Sequence, residues 1–208
     1  MNKEIHTALI SVFHKDGLDE IVKLLNSKGV KIYSTGGTSK FIKELGVPVT
    51  EVEELTGFPA IFDGRVKTLH PAIAGGILKI RGNVIHEEEA KKHNIPEIDL
   101  VIVDLYPFEE TILSGASDEE IIEKIDIGGI ALIRAGAKNF NDVVIIPSVH
   151  QYASLLEILK GGDTTTIAER KRFAGNAFEV TSMYDTAIRG YFQGTKLRYG
   201  ENPHQSGM

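Results

Sequence analysis

The stretch TALISVFHKDGLDEIVKLLNSKGVKIYSTGG, residues 7–37, decides the fold. Its opening part, 8–13, is a short apolar, β-branched run that has the composition of a strand. At Leu18 the period changes: Leu18, Ile21, Val22, Leu24 and Leu25 form an apolar stripe at helical spacing, bracketed by Gly17 and Gly29. A second β-branched run at 30–34 follows and ends in Ser34, Thr35, Gly36, Gly37 and Thr38. Strand, helix and strand in this order form a crossover unit, and the two strands of such a unit lie parallel.

Working outward, the same alternation continues. Further strands are expected at 47–52, 98–105 and 143–147, with a second helix at 39–45 set off from the third strand by Gly46 and Pro48. The run 100–103 is apolar throughout, as a strand covered on both faces must be. Ser117 followed by Glu120 has the spacing of a capping box for a helix reaching about Lys124. Residues 165–191 form one long helical stretch rich in Ala, Arg and Phe. The fold class is therefore α/β, an open, mostly parallel sheet with helices on both faces and a C-terminal helical appendage. The main domain is expected over 1–195, with its C-terminal helices from about 150.

Composition narrows the function. The formal net charge of -6 is spread without long like-charge blocks, which argues against binding nucleic acid, where clustered Lys and Arg must meet phosphates. The basic run Arg170, Lys171, Arg172 reads as a solvated helix face. Cysteine is absent, so disulfides, thiolate nucleophiles and cysteine zinc sites are excluded, and the chemistry must come from oxygen and nitrogen groups. Residues 1–7 are polar, unlike a signal peptide, and no apolar run approaches the ~20 residues of a membrane span. A cytoplasmic protein without membrane contact is expected.

Open parallel sheets bind ligands beyond the carboxyl ends of their strands, where the strand order reverses. Five loops come into question. After the first strand, Ser11 leads to Lys15, either a phosphate ligand beside a helix start or a surface turn lysine. After the second, Ser34, Thr35, Gly36, Gly37 and Thr38 open a helix, and close backbone approach plus hydroxyls make a phosphate cradle, distinct in spacing from the Walker and dinucleotide loops. In the third, Arg65 and Lys67 are two apart and in an extended segment face one way, with Thr68 beside them. His70, before Pro71, reads as a backbone-bonded turn histidine. After the fourth strand, Asp104 and Tyr106 emerge; the tyrosine can stack on a ring, pass a proton, or sit as a core-edge aromatic. The fifth loop holds Asp126 before Gly128 and Gly129, a positioned base or a plain helix cap, and the helix beyond bears Lys138.

Taken together, SVFHKDGL, STGGT, GFPAIFDGRVKTLHP, DLYPF, IDIGG and AGAKN resemble, in order and spacing over about residues 5–195, the IMP cyclohydrolase domain of the bifunctional purine biosynthesis proteins, which also carry an AICAR transformylase domain. The resemblance implies a methylglyoxal-synthase-like fold and closure of the formamido nucleotide FAICAR to IMP with loss of water, using no metal and no cofactor. It implies a homodimer as well, and a transformylase, covalent or separate, that supplies the substrate. The tail 196–208 is similar to the opening of that transformylase domain.

Carried onto this chain, the resemblance implies catalytic roles for Lys67, Tyr106, Asp126 and Lys138. Its substrate-binding positions are Ser11, Lys15, Ser34, Thr35, Gly36, Gly37, Thr38, Arg65, Lys67, Thr68, Asp104, Tyr106, Asp126 and Gly128. The chain departs from the family pattern in two places: Phe13 and His14 stand where the family has a small and an acidic residue, and Asp104 stands where it has Asn. Two other functions fit the same pattern of loops, a methylglyoxal-synthase-type lyase acting on dihydroxyacetone phosphate and a non-catalytic domain that senses a nucleotide.

Overall fold

A computed structural model of the chain describes residues 2–194; the tail at 196–208 lies outside the described residues. The chain opens with β1 (Lys3–Glu4) and β2 (Thr7–Ser11), then alternates α1 (Leu18–Ser27), β3 (Lys31–Ser34), α2 (Gly36–Glu44), β4 (Thr50–Glu51) and α3 (Val52–Thr56). Two helices, α4 (Pro71–Leu78) and α5 (Val84–Lys92), precede β5 (Leu100–Val103). Then come α6 (Phe108–Leu113), α7 (Asp118–Glu123), α8 (Gly128–Lys138), β6 (Val144–Ile146), α9 (Tyr152–Lys160), β7 (Thr164–Thr165) and the long α10 (Ile167–Phe192).

The main sheet has the order β4-β3-β2-β5-β6, and every pairing in it is parallel. Central β2 pairs on both sides, Ile10 opposite Ser34 of β3 and opposite Ile102 of β5. Ala8, Leu9 and Ile10 are fully buried, and so are Leu100, Val101 and Ile102, which explains the apolar composition of both strands. From β2 the chain steps through β3 to β4, then returns to the other side of β2 for β5 and β6. With right-handed crossovers, opposite directions of travel place the connecting helices on opposite faces. Accordingly α1 packs with α9, while α4, α8 and α10 pack together. The reversal falls between β2 and β5, which is where the loops diverge and leave a crevice. A separate antiparallel pair, β1 with β7, ties the N-terminus to the start of α10.

Several strands are shorter than the sequence suggests. β2 ends at Ser11 because the backbone of Val12 turns to a side chain: its N–H donates to Thr38 Oγ1 at 3.1 Å, and that hydroxyl donates to the Val12 carbonyl at 2.9 Å. The run 47–52 yields only Thr50–Glu51, since Val52 already opens α3. The capping box at Ser117 and Glu120 is present and starts α7. His70 caps α4, its Nδ1 accepting from the Ala72 N–H at 3.1 Å with Pro71 in the first helical position.

One residue of the basic run in α10 is a correction, while Lys171 and Arg172 are exposed as expected. Arg170 is only 1% exposed rather than part of a solvated face. Its Nε donates to the Phe140 carbonyl at 2.9 Å, one terminal nitrogen donates to the Thr165 carbonyl at 2.6 Å, and the other to the Asn141 carbonyl at 3.1 Å. The guanidinium thereby fastens the root of α10 to the loop ahead of β6. No described helix is long and apolar enough to cross a membrane.

Candidate active site

A cavity of about 650 Å³ opens at the crevice, within the ~300–1,000 Å³ common for small-molecule sites. Each loop singled out in the sequence contributes to it: Ser11 and Lys15, Thr35 to Thr38, Arg65, Lys67 and Thr68, Asp104 and Tyr106, Asp126 and Gly128. Residues more than a hundred positions apart, such as Ser11 and Asp126, meet because the loops beyond the carboxyl ends of neighbouring parallel strands converge there.

The cradle is the start of α2. Gly36 has a φ of 46°, a conformation L side chains rarely adopt, and a Cβ there would lie 2.9 Å from Lys67 Nζ. Glycine is thus needed for the turn and for the approach of the lysine. The first-turn amides of a helix have no intrahelical acceptor, so those of Gly36 and Gly37, both on the cavity wall, are available to an anion. Thr38 lines the cavity but is only 3% exposed, and its hydroxyl is spent on Val12 as both donor and acceptor. Ser34 is not on the wall: it is fully buried and its Oγ donates to the Ile10 carbonyl at 2.7 Å, a strut between β2 and β3. Thr35, whose Oγ1 lies 3.4 Å from Ser11 Oγ, keeps a hydroxyl at the cavity.

Three cations surround the cradle. Lys15 Nζ donates to the carbonyls of Val12 and Phe13, each at 2.6 Å, and burial pulls its pKa below the ordinary lysine value against the raising effect of Asp104. Lys67 Nζ lies 3.4 Å from Glu53 Oε1. Arg65 reaches across the mouth to pair with Glu123 of α7, which raises the guanidinium pKa and lowers that of the carboxylate.

Opposite the cations lies Asp126. Its Oδ1 accepts from the Gly129 N–H at 2.6 Å, and a Cβ on Gly129 would fall 2.6 Å from its Oδ2. A Cβ on Gly128 would fall 2.9 Å from Thr68 Oγ1. The glycine pair is therefore the space that lets the carboxylate and the third loop close on the start of α8. Burial raises the Asp126 pKa above the ordinary carboxylate value, with backbone hydrogen bonds at Gly129 and Tyr106 working the other way. Tyr106 meets Phe13 edge to face, ring centroids 5.7 Å apart, and its phenol pKa is raised by burial and then by the charges of Asp126 and Glu123.

Lys138 is not brought to this cavity. It ends α8 on an exposed face, and the 11 residues of that helix put it about 15 Å along the axis from Gly128 at ~1.5 Å rise per residue.

Some site residues had no local signal. Tyr184 of α10 accepts from the Asp126 N–H at 2.9 Å and donates to the Lys124 carbonyl at 2.7 Å, and burial lifts its phenol to a pKa of about 12. Glu53 and Glu123 likewise sit on helices that the sequence reading passed over for function. His14, noted only as a departure, is hydrogen-bonded to Asp104, the other departure, with Nδ1 2.7 Å from Oδ2. Among the described residues, no three His, Asp or Glu side chains cluster so as to hold a metal ion.

Comparison with known proteins agrees with this architecture. Residues 17–131 match the family described as MGS-like domain, and residues 136–208 match the AICARFT/IMPCHase bienzyme family. The bifunctional purine biosynthesis protein PurH of Bacteroides thetaiotaomicron is 54% identical, the match covering 99% of this chain and 43% of that protein. That of Clostridium acetobutylicum is 48% identical over 97% of this chain and 43% of its own. The chain thus spans less than half the length of these curated relatives. Among solved structures, one titled "Crystal structure of ForH" superimposes with a TM-score of 0.75 at 29% identity, covering 90% of this chain and 99% of the other. On these grounds the chain belongs to the MGS-like domain family, in the form that it shares with the bifunctional purine biosynthesis proteins.

Proposed function

We propose that the chain is an IMP cyclohydrolase that closes FAICAR to IMP with loss of water. One observation carries the reading: Lys67, Tyr106 and Asp126 converge on one cavity that already contains an anion cradle at Gly36 and Gly37. The PurH relatives are named for purine biosynthesis, which supports the reading.

Ring closure joins the carboxamide nitrogen to the formyl carbon, and the formyl oxygen leaves as water with one proton from the carboxamide nitrogen and one from the formamido nitrogen. The cradle, with Lys15 and Arg65, holds the phosphate, and a remote anchor of this kind can supply much of the ~7–11 kcal/mol available from orientation. Arg65 must leave Glu123 to do so. Lys67 stabilises negative charge on the formyl oxygen as nitrogen attacks. Burial makes Asp126 a stronger base than an ordinary carboxylate, suited to take the carboxamide proton, while Tyr106, whose phenol pKa is raised by partial burial and by the charges of Asp126 and Glu123, gives a proton to the departing oxygen. A homodimer, a cytoplasmic setting and a transformylase that delivers FAICAR belong to the same reading.

The test is to mix purified chain with FAICAR and follow the ultraviolet absorbance of IMP, with dihydroxyacetone phosphate as a parallel substrate. Turnover of FAICAR cut at least about a hundredfold by Lys67→Ala, to a residual rate, supports the reading. Release of inorganic phosphate from dihydroxyacetone phosphate, or IMP binding without turnover, overturns it in favour of a lyase or a sensor.

A further inference from the structure

We propose that Glu53 is a positioning residue of the site, acting through Lys67. The inference deepens the cyclohydrolase reading and rests on it for the role of Lys67.

Glu53 stands in the first turn of α3, immediately after the edge strand β4, and so behind the cradle rather than in it. Its Oε1 is 3.4 Å from Lys67 Nζ, and both side chains are largely buried, 27% and 21% exposed. Its Oε2 is buried and receives no hydrogen bond from any described residue. A carboxylate serving only to favour a helix start needs no burial to do so. Burying one oxygen without a donor among the described residues costs stability, a cost consistent with a group that holds something in place.

What it holds is defined by its surroundings. The neighbouring acid, Glu51, is engaged by Lys43 at 2.5 Å and by the Ser39 hydroxyl at 3.2 Å, and feels Lys67 as a more distant charge. Glu53 is the carboxylate within ion-pair reach of Lys67 among the described residues. On its other side, Lys67 Nζ lies against Gly36, whose missing side chain makes the room. A four-carbon lysine stem has many rotamers, and fixing its ammonium between a carboxylate and the cradle removes that freedom before substrate arrives. Without Glu53 the ammonium is free to swing out of line with the formyl oxygen.

The experiment is a double-substitution cycle of Glu53→Gln, Lys67→Ala and the pair, with Glu53→Asp alongside, each checked for folding by thermal melt. With FAICAR as substrate, Glu53→Gln is expected to lower kcat roughly tenfold and to change KM by less than about threefold. Glu53→Asp, which keeps the charge on a shorter arm, is expected to recover part of the loss. In the Lys67→Ala background, Glu53→Gln is expected to add less than about twofold, because a residue that acts only through another has nothing left to act on. An equal loss in both backgrounds, or no loss in either, overturns the proposal. Should the unaltered chain not turn FAICAR over at all, the cyclohydrolase reading has failed on its own. The same cycle is then read in IMP affinity by calorimetry, where coupling supports the positioning role and additivity overturns it.

Discussion

His14 and Asp104 form one contact. Asp104 Oδ2 accepts from the His14 N–H at 2.9 Å and lies 2.7 Å from His14 Nδ1. The two positions singled out in the sequence as departures from the pattern that its resemblance implies are therefore in direct contact, beside Lys15, whose pKa the charge of Asp104 raises. His14→Asp alone sets two carboxylates against each other and is expected to lower kcat/KM roughly tenfold, since like charges in contact cost several kcal/mol in buried settings and less in part-exposed ones. Adding Asp104→Asn is expected to restore most of the loss. Kinetics with FAICAR on the two single variants and the double variant checks this; failure of the second substitution to rescue would show that the pair is not a unit.

The buried carboxyl of Asp126 has consequences for pH. Its pKa is raised in the folded chain, so the native state holds a proton that the unfolded chain has already released. Stability therefore falls as pH rises from the ordinary carboxylate value to the raised one, and stays lower above it. Asp126→Asn keeps the acceptor for the Gly129 N–H and removes the buried charge. It is expected to melt at a higher temperature than the unaltered chain at neutral pH, with the gap closing in acid, while turnover is lost. Melting curves across the acid range, run on both proteins, test the sign.

Gly129 is predicted to be intolerant for a stated steric reason. A methyl group there would meet Asp126 Oδ2 at 2.6 Å and Leu105 Cδ2 at 2.9 Å, so Gly129→Ala must displace the carboxylate. The expected result is a loss of kcat of roughly a hundredfold, as for ångström-scale misplacement of a reacting group. Gly175→Ala is the control: nothing lies within 4 Å of its added methyl group in α10, so activity should persist and stability should rise by about 0.5–1 kcal/mol.

Lys138 can join the reaction only from a second copy of the chain, because its own cavity lies at the other end of α8. If it takes that role, Lys138→Ala and Lys67→Ala proteins each keep only residual activity alone, and mixing them after gentle unfolding and refolding restores roughly a quarter of the activity through hybrid pairs with one intact site. Full activity of Lys138→Ala by itself would remove the residue from the mechanism.

Much of the molecule was legible in residues 7–37. The change from a β-branched run to the helical stripe Leu18, Ile21, Val22, Leu25, and back, specifies a parallel crossover because period, β-branched content and the bracketing glycines together tell strand from helix. Lys15 and Asp126 were legible for a related reason, since one follows a strand and the other stands just ahead of a helix, while Arg65 was legible from its two-residue spacing to Lys67 in a loop. Ser34 and Thr38 were read by composition as ligand donors and went partly wrong, because a hydroxyl does not announce whether it will turn to a ligand or to its own backbone. Arg170 failed in the opposite way, since a guanidinium among other cations looks solvated until backbone carbonyls surround it.

The sequence by itself determined the order of strands and helices in the main sheet and which chemical groups its loops carry, since these are local matters of period, turn geometry and residue type, while the strand ends and the β1–β7 pair were set by packing. Only the tertiary structure decided that the order β4-β3-β2-β5-β6 reverses between β2 and β5, gathering those loops into one cavity, that Tyr184 reaches 58 residues back to hold Asp126, that Glu53 stands behind Lys67, and that Lys138 points away. Such contacts join residues far apart in the chain. Nothing in local propensity encodes them, and they exist only after the sheet has packed and set each helix in its place.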